Sequence, residues 1–171
     1  NVCSSNQFEN NENTRIELPK SPVDPLSFRD RKRYTERLKD ERAKSHLDEY
    51  LAVAHGKIGG NDAVVAVMAY EFMAGTMGAA MGEAFVAACR LAVLQRAALV
   101  VYTASGGARM QEGVISLMQM PRTTIGVEML RDAALPYLVV LTNPTTGGVS
   151  ASFAMLGDVQ LAEPEALIAF T

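Results

Sequence analysis

Short runs in which nearly every position is apolar alternate along the chain with longer stretches whose apolar residues recur every three or four positions. The first kind suits a strand covered on both faces, the second a helix packed by one stripe. Residues 51–55 and 63–70 are of the first kind and flank Gly56-Lys57-Ile58-Gly59-Gly60, which predicts two strands around a tight turn. Residues 79–95 follow as a helix, with Phe85, Ala88, Ala92 and Val93 in helical period. Residues 98–103 predict a strand, 109–120 a helix that Pro121 ends or restarts, 122–133 another helix and 135–142 a strand. A helix over 149–156, stopped at Gly157, and short strands over 159–162 and 166–170 complete the pattern. Strand starts near 64, 98 and 137 give a β–α unit of about 35 residues. That alternation predicts an α/β fold with a largely parallel core sheet.

The chain ahead of the first strand is different. Residues 1–25 are polar and rich in Asn, Ser and Pro, which predicts a flexible N-terminal arm and leaves 26–171 as one domain. Residues 28–44 are helical in composition, with Tyr34, Leu38 and Ala43 as inward positions. So thin a stripe is expected on the surface or against another subunit. Eight of the sixteen basic residues fall between Arg29 and Lys44, a local net charge of +4 on a chain of −3. Such a segment suits phosphate groups or an acidic partner, and equally a solvated helix face.

Composition narrows the class further. At 171 residues and 49% apolar content the chain is long enough to bury a substantial core. Nine methionines and no tryptophan make that core soft and aliphatic. Cys3 and Cys89 are far apart and form no Cys-x-x-Cys pair, so neither a zinc site nor a disulfide framework is expected, and no metal ligand set stands out. The first twenty residues lack the apolar core of a signal peptide, and Arg90 and Arg96 interrupt the longest apolar run, so no membrane segment is expected. The chain opens on Asn and stops inside the predicted strand 166–170, and is expected to be a fragment.

Candidate chemistry gathers at the ends of the predicted strands, where open α/β sheets bind ligands. Ala104-Ser105-Gly106-Gly107-Ala108-Arg109 follows one strand, Asn143-Pro144-Thr145-Thr146-Gly147-Gly148 another, and Gly75-Thr76-Met77-Gly78 a third. Backbone N–H groups in glycine turns ahead of helices can hold an anion, or an oxygen becoming one, with the helix dipole behind them. Taken singly, each turn is also what any tight connection looks like. Two such turns facing one site would supply oxyanion donors worth about 3–4 kcal/mol each.

Other motifs fit less well. Gly56-Lys57-Ile58 lacks the glycine and hydroxyl of a phosphate loop, and neither turn matches Gly-x-Gly-x-x-Gly. Gly148-Val149-Ser150-Ala151-Ser152 lacks the last glycine of a nucleophile elbow, and both histidines, His46 and His55, lie upstream and read as surface residues. Glu112 is the best-placed carboxylate for acid–base work, although a first-turn helix glutamate favoured by the dipole is the simpler reading. Oxyanion donors without a convincing base suggest an enolate whose proton is handled by a bound cofactor.

Phe72-Met73-Ala74-Gly75-Thr76-Met77-Gly78, Ala104-Ser105-Gly106-Gly107-Ala108-Arg109-Met110-Gln111-Glu112-Gly113, Leu117-Met118-Gln119-Met120 and Pro144-Thr145-Thr146-Gly147-Gly148-Val149-Ser150-Ala151-Ser152-Phe153-Ala154-Met155-Leu156-Gly157-Asp158 closely resemble the carboxyltransferase β subunits of bacterial and plastid acetyl-CoA carboxylase. The resemblance covers roughly residues 24–171. It implies a ClpP/crotonase-like fold of repeated ββα units. It also implies transfer of a carboxyl group from carboxybiotin to acetyl-CoA, giving malonyl-CoA for fatty acid biosynthesis. Biotin would arrive on a biotin carboxyl carrier protein rather than bound to this chain, and a carboxyltransferase α subunit would complete a heterotetramer in the cytoplasm or plastid stroma.

Carried over by the resemblance, the amides around Gly106, Gly107 and Ala108 would hold the thioester oxygen as the enolate develops. Gly147 and Gly148 would form the facing wall and a second donor. Ser105, Arg109, Thr145 and Thr146 would contact substrate, with Arg109 at the mouth, and Gly75, Met77 and Gly78 would line the CoA channel. The family's four-cysteine zinc ribbon has no counterpart here, so no zinc is expected, and neither is nucleic acid as a partner. The usual Gly-Gly-Ser is Ala74-Gly75-Thr76, and the usual Asp before proline is Asn143. Two alternatives stay open. One is a crotonase-type decarboxylase or hydratase using Glu112 as base, the other a non-catalytic fragment that binds an α subunit or CoA.

Overall fold

The computed structural model describes residue 8 and residues 12–19, 23–45 and 51–170. Cys3 and His46 lie outside the described residues. Among those described, β1 (Asn13–Arg15), β2 (Leu51–Ile58), β3 (Asn61–Met68), β4 (Ala98–Ser105), β5 (Tyr137–Thr146) and β6 (Val159–Ala162) lie side by side in sequence order, and β7 (Ile168–Ala169) pairs with the far end of β5. The first three strands are mutually antiparallel, while β3, β4, β5 and β6 run parallel.

The hairpin is tighter than the sequence predicts. Ile58 pairs directly with Asn61, so only Gly59 and Gly60 form the turn and Gly56-Lys57-Ile58 belong to β2. Residues 1–25 are not a free arm throughout. Asn13–Arg15 are zipped to β2, and Phe8 is buried against Ala54, Val65 and Val67. Odd and even positions of β3 face opposite sides, and both are buried. Val64, Ala66 and Met68 enter the main core, whereas Val65 and Val67 meet Phe8 on the other face.

Helix α2 (Ala79–Gln95) has the predicted bounds and crosses α4 (Gln119–Asp132) on the main face of the sheet. Phe85 sits at the centre, edge-on to Tyr137 at 6.3 Å and tilted against Phe153 at 4.5 Å. The predicted helix 109–120 is instead a 3₁₀ turn over Met110–Glu112, the short α3 (Gly113–Leu117), and then α4, which Pro121 opens as a first-turn residue. The predicted helix 149–156 is likewise the four-residue α5 (Gly147–Ser150) and a 3₁₀ turn.

Upstream, α1 (Tyr34–Ser45) starts later than predicted, because residues 24–33 make turns, with the Phe28 amide donating to Asp24 Oδ1 at 3.1 Å. Its Tyr34 and Leu38 are buried as expected, one helical turn apart, while Ala43 is exposed. None of the described helices is long and apolar enough to cross a membrane.

Candidate active site

Because β3, β4 and β5 are parallel, their carboxyl ends share one edge, and the three glycine turns meet there. A Cβ on Gly75 would fall 2.1 Å from Ala104 O. A Cβ on Gly107 would fall 3.1 Å from Gly147 Cα and 3.3 Å from Gly148 N. Gly107 (φ +105°) and Gly147 (φ +61°) hold backbone angles that side chains strongly disfavour, so both conformation and contact demand glycine. The Gly106-Gly107 and Gly147-Gly148 turns therefore form one structure, as two turns facing one site require.

Hydrogen bonding decides which amides are free to act. Gly106 N–H donates to Ala74 O at 2.9 Å, Gly107 N–H to Ser105 Oγ at 3.0 Å, and Gly147 N–H to Phe170 O at 3.1 Å. Three of the expected donors are thus engaged inside the protein. Among the described residues, the amides of Ala108 and Gly148 have no such acceptor.

Their aim follows from peptide planarity. Gly107 O accepts from Met77 N–H at 2.8 Å, and the N–H of a trans peptide points opposite to its C=O, so Ala108 N–H points away from Met77. Gly147 O accepts from Ala151 N–H at 3.0 Å and Ser150 Oγ at 2.9 Å, which turns Gly148 N–H away from α5. The helices behind both turns are too short for the expected macrodipole, and the charge available is that of the amides themselves.

Several predicted contact residues prove to be internal supports. Ser105 is buried, with its hydroxyl donating to Gly75 O at 2.7 Å and accepting from Gly107 N–H, so it links two of the turns. Thr145 is buried, its hydroxyl 2.8 Å from that of Thr103, and it ties β5 to β4. Thr146 donates to Ser105 O at 3.0 Å. Met77 is in the core, and Gly75 and Gly78 are buried, so the channel-facing residues of that turn are Ala74 and Thr76.

Arg109 corrects the reading most sharply, because it is not at a mouth but 1% exposed. Its Nε donates to Thr76 Oγ1 at 3.2 Å, Nη2 to Thr76 O at 2.8 Å and Nη1 to Tyr34 Oη at 3.1 Å, and the guanidinium lies 5.8 Å from the centre of the Phe72 ring. Glu112 Oε1 lies 3.4 Å from Nη1 and accepts from the Tyr34 hydroxyl at 2.7 Å, while its Oε2 accepts from Ala79 N–H at 2.6 Å, at the start of α2. Burial pushes the Tyr34 phenol well above its usual range, which keeps it a proton donor to Glu112. A carboxylate so enclosed is not poised as a general base. Dipole stabilisation within its own helix does not describe it either, since the helix it caps is α2.

Sequence reading missed Tyr34, Thr76 and Ser116 as supports. Ser116 Oγ accepts from Arg109 N–H at 2.7 Å and donates to Met77 O at 2.5 Å, clamping the bridge between the turns. The one available signal was the Tyr34/Leu38 pair in an otherwise charged helix. Beside the bridge opens a cleft of about 530 Å³ lined by Arg37, Glu41 and Lys44 of α1 and by Ala74, Thr76 and Ala108. The basic segment thus reaches the candidate site.

The carboxyl transferase domain model matches residues 6–171 of this sequence. The chain belongs to that family. As a carboxyl transferase domain it is 80% identical over 163 residues to the acetyl-coenzyme A carboxylase carboxyl transferase subunit beta of Gluconacetobacter diazotrophicus, over 95% of this chain and 54% of that protein. The protein of the same name from Gluconobacter oxydans is 79% identical over 95% of this chain and 56% of its own length. The chain therefore spans about half the length of the curated relatives it matches.

Among solved structures, transcarboxylase 12S with hydrolysed methylmalonyl-coenzyme A bound superposes with a TM-score of 0.64 at 25% identity, over 71% of this chain and 23% of that one. A Pseudomonas malonate decarboxylase hetero-tetramer in complex with malonate gives 0.62 at 24% identity, over 71% and 46%, a likeness of fold alone. The carboxyl transferase domain is thus a crotonase-like α/β fold, as the sequence resemblance implied.

Proposed function

We propose that this domain is the acyl-CoA-binding half of an acetyl-CoA carboxylase carboxyltransferase, acting with an α subunit to form malonyl-CoA. The observation that carries the reading is the Gly107–Gly147 contact, which sets the unengaged Ala108 and Gly148 amides on adjoining turns. A thioester oxygen between them would gain hydrogen bonds as it becomes an enolate oxygen, each worth about 3–4 kcal/mol in rate. Rigid, buried turns add to this, because their dipoles need no reorganisation during the reaction.

The cleft beside Ala108 is assigned to CoA, with Arg37 and Lys44 as the cationic side chains for its phosphates. Carboxybiotin, presented by a carrier protein, would supply the carboxyl group and, after losing it, a nitrogen to accept the acetyl proton. The chain's own part is to bind the thioester, polarise it and hold the enolate. Cytoplasmic fatty acid biosynthesis is the setting that goes with this reading.

The engagement of Glu112 with Tyr34, Ala79 and Arg109 argues against a decarboxylase or hydratase that uses it as base. Mixing the protein with a carboxyltransferase α subunit and carboxylated biotin carrier tests the proposal. Malonyl-CoA formed from acetyl-CoA supports it, whereas a stable complex that forms none points to binding without catalysis and overturns it.

A further inference from the structure

We infer that Tyr34, Arg109 and Thr76 form a positioning unit that sets the aim of the Ala108 amide and couples it to the placement of α1 along the cleft. The inference rests on the carboxyl-transfer reading above and adds residues that contact no substrate in it.

The bridge that carries the Gly107–Ala108 peptide is held by Met77 N–H donating to Gly107 O, by the longer return bond from Arg109 N–H to Met77 O at 3.3 Å, and by the Ser116 hydroxyl, which bonds both Arg109 N–H and Met77 O. Met77 and Arg109 themselves lie outside the named strands and helices. The Arg109 side chain adds a brace from the Thr76 side. It leaves the residue after Ala108 and grips the hydroxyl and the carbonyl of Thr76, the residue before Met77, so the bridge is tied on both sides. Guanidinium geometry suits this task, since the planar fork fixes direction as well as distance, where an ammonium would fix only distance.

Tyr34 turns the brace into a connection. Its hydroxyl accepts from Arg109 Nη1 at 3.1 Å and donates to Glu112 Oε1 at 2.7 Å, and its ring is 1% exposed at the first position of α1. The same helix sends Arg37, Glu41 and Lys44 to the cleft. A ligand that draws α1 inward therefore acts on the guanidinium through one hydroxyl, and through it on the bridge. Glu112 balances the buried charge and bonds the first amide of α2, so the unit stands on two helices.

The test uses the protein assembled with an α subunit and carboxylated biotin carrier. Tyr34→Phe keeps the ring and removes the hydroxyl. The expected result is a fall in kcat on the order of 10-fold or more, the size of effect produced by a sub-ångström to 1 Å misplacement, with KM for acetyl-CoA changed less than about twofold. Hydrogen exchange at the Met77 amide, which holds Gly107 O in the bridge, should quicken in the same variant. Thr76→Val should lower kcat in the same way, and Thr76→Ser, which keeps the acceptor for Nε, should restore it.

Wild-type kcat and wild-type exchange in Tyr34→Phe would overturn the inference. If Tyr34→Phe does not fold, the Thr76 pair decides: equal kcat in Val and Ser variants overturns it. A wild-type protein that makes no malonyl-CoA defeats the function proposed above, and the exchange measurement then still tests the positioning unit alone.

Discussion

A Cβ placed on Gly147 would lie 2.9 Å from the Cα of Gly107, so the two glycine turns pack backbone against backbone. A methyl group on either side would push the Ala108 and Gly148 amides apart. Gly107→Ala must also adopt φ near +105°. The strain is of order 1–3 kcal/mol, and carboxyl transfer should fall more than stability does. Thermal melting and malonyl-CoA formation measured on the same preparation check this.

Gly148→Ala should behave differently. Its Cβ would meet Met77 Cε at 3.3 Å and Met120 Sδ at 3.4 Å, the ends of flexible side chains that can shift. Stability should change by less than about 1.5 kcal/mol in a denaturant titration, as for modest repacking with methionine neighbours.

Ser116→Ala removes one hydroxyl from two backbone partners, Arg109 N–H and Met77 O, and both are enclosed. The two groups would keep only their mutual bond at 3.3 Å, and each hydrogen bond lost is worth about 0.5–1.5 kcal/mol. Urea unfolding should show that loss, and the bridge that aims Ala108 should loosen with it.

Alkaline stability should depend on Cys89. Burial among α2 and α4 pushes its thiol from 9.0 up to about 12. The unfolded chain ionises first, so this contribution is fully present below about pH 9 and is lost as the pH rises toward 12. Melting temperatures taken between about pH 9 and pH 11 should therefore fall less steeply in Cys89→Ala than in the wild type, and equal slopes would refute the assignment.

Much of the scaffold was legible because period and punctuation agree. Residues 79–95 keep a helical stripe from end to end, and the short apolar runs at 63–70 and 98–103 are of strand length and rich in valine. The convergence of the glycine turns followed from their place after parallel strands. The role of each amide was not legible, since it depends on contacts across the turns: Ala74 O takes the Gly106 N–H and Ser105 Oγ takes that of Gly107. Arg109 misled for a related reason. An arginine beside a glycine turn reads as an anion contact, and only the fold brings Tyr34, 75 positions away in sequence, to bury it. The N-terminal segment misled through composition, because three paired residues and one buried phenylalanine leave no periodic trace.

The central claim is that the paired glycine turns stabilise an enolate by backbone donors. Its most direct test is the rate of malonyl-CoA formation by Gly107→Val against wild type, each assembled with an α subunit and supplied with carboxylated biotin carrier. The expected result is assembly in both and a loss of at least about 100-fold in the variant, since the added side chain wedges the turns apart and carries the Ala108 and Gly148 donors off the oxyanion. Full activity in Gly107→Val would contradict the claim.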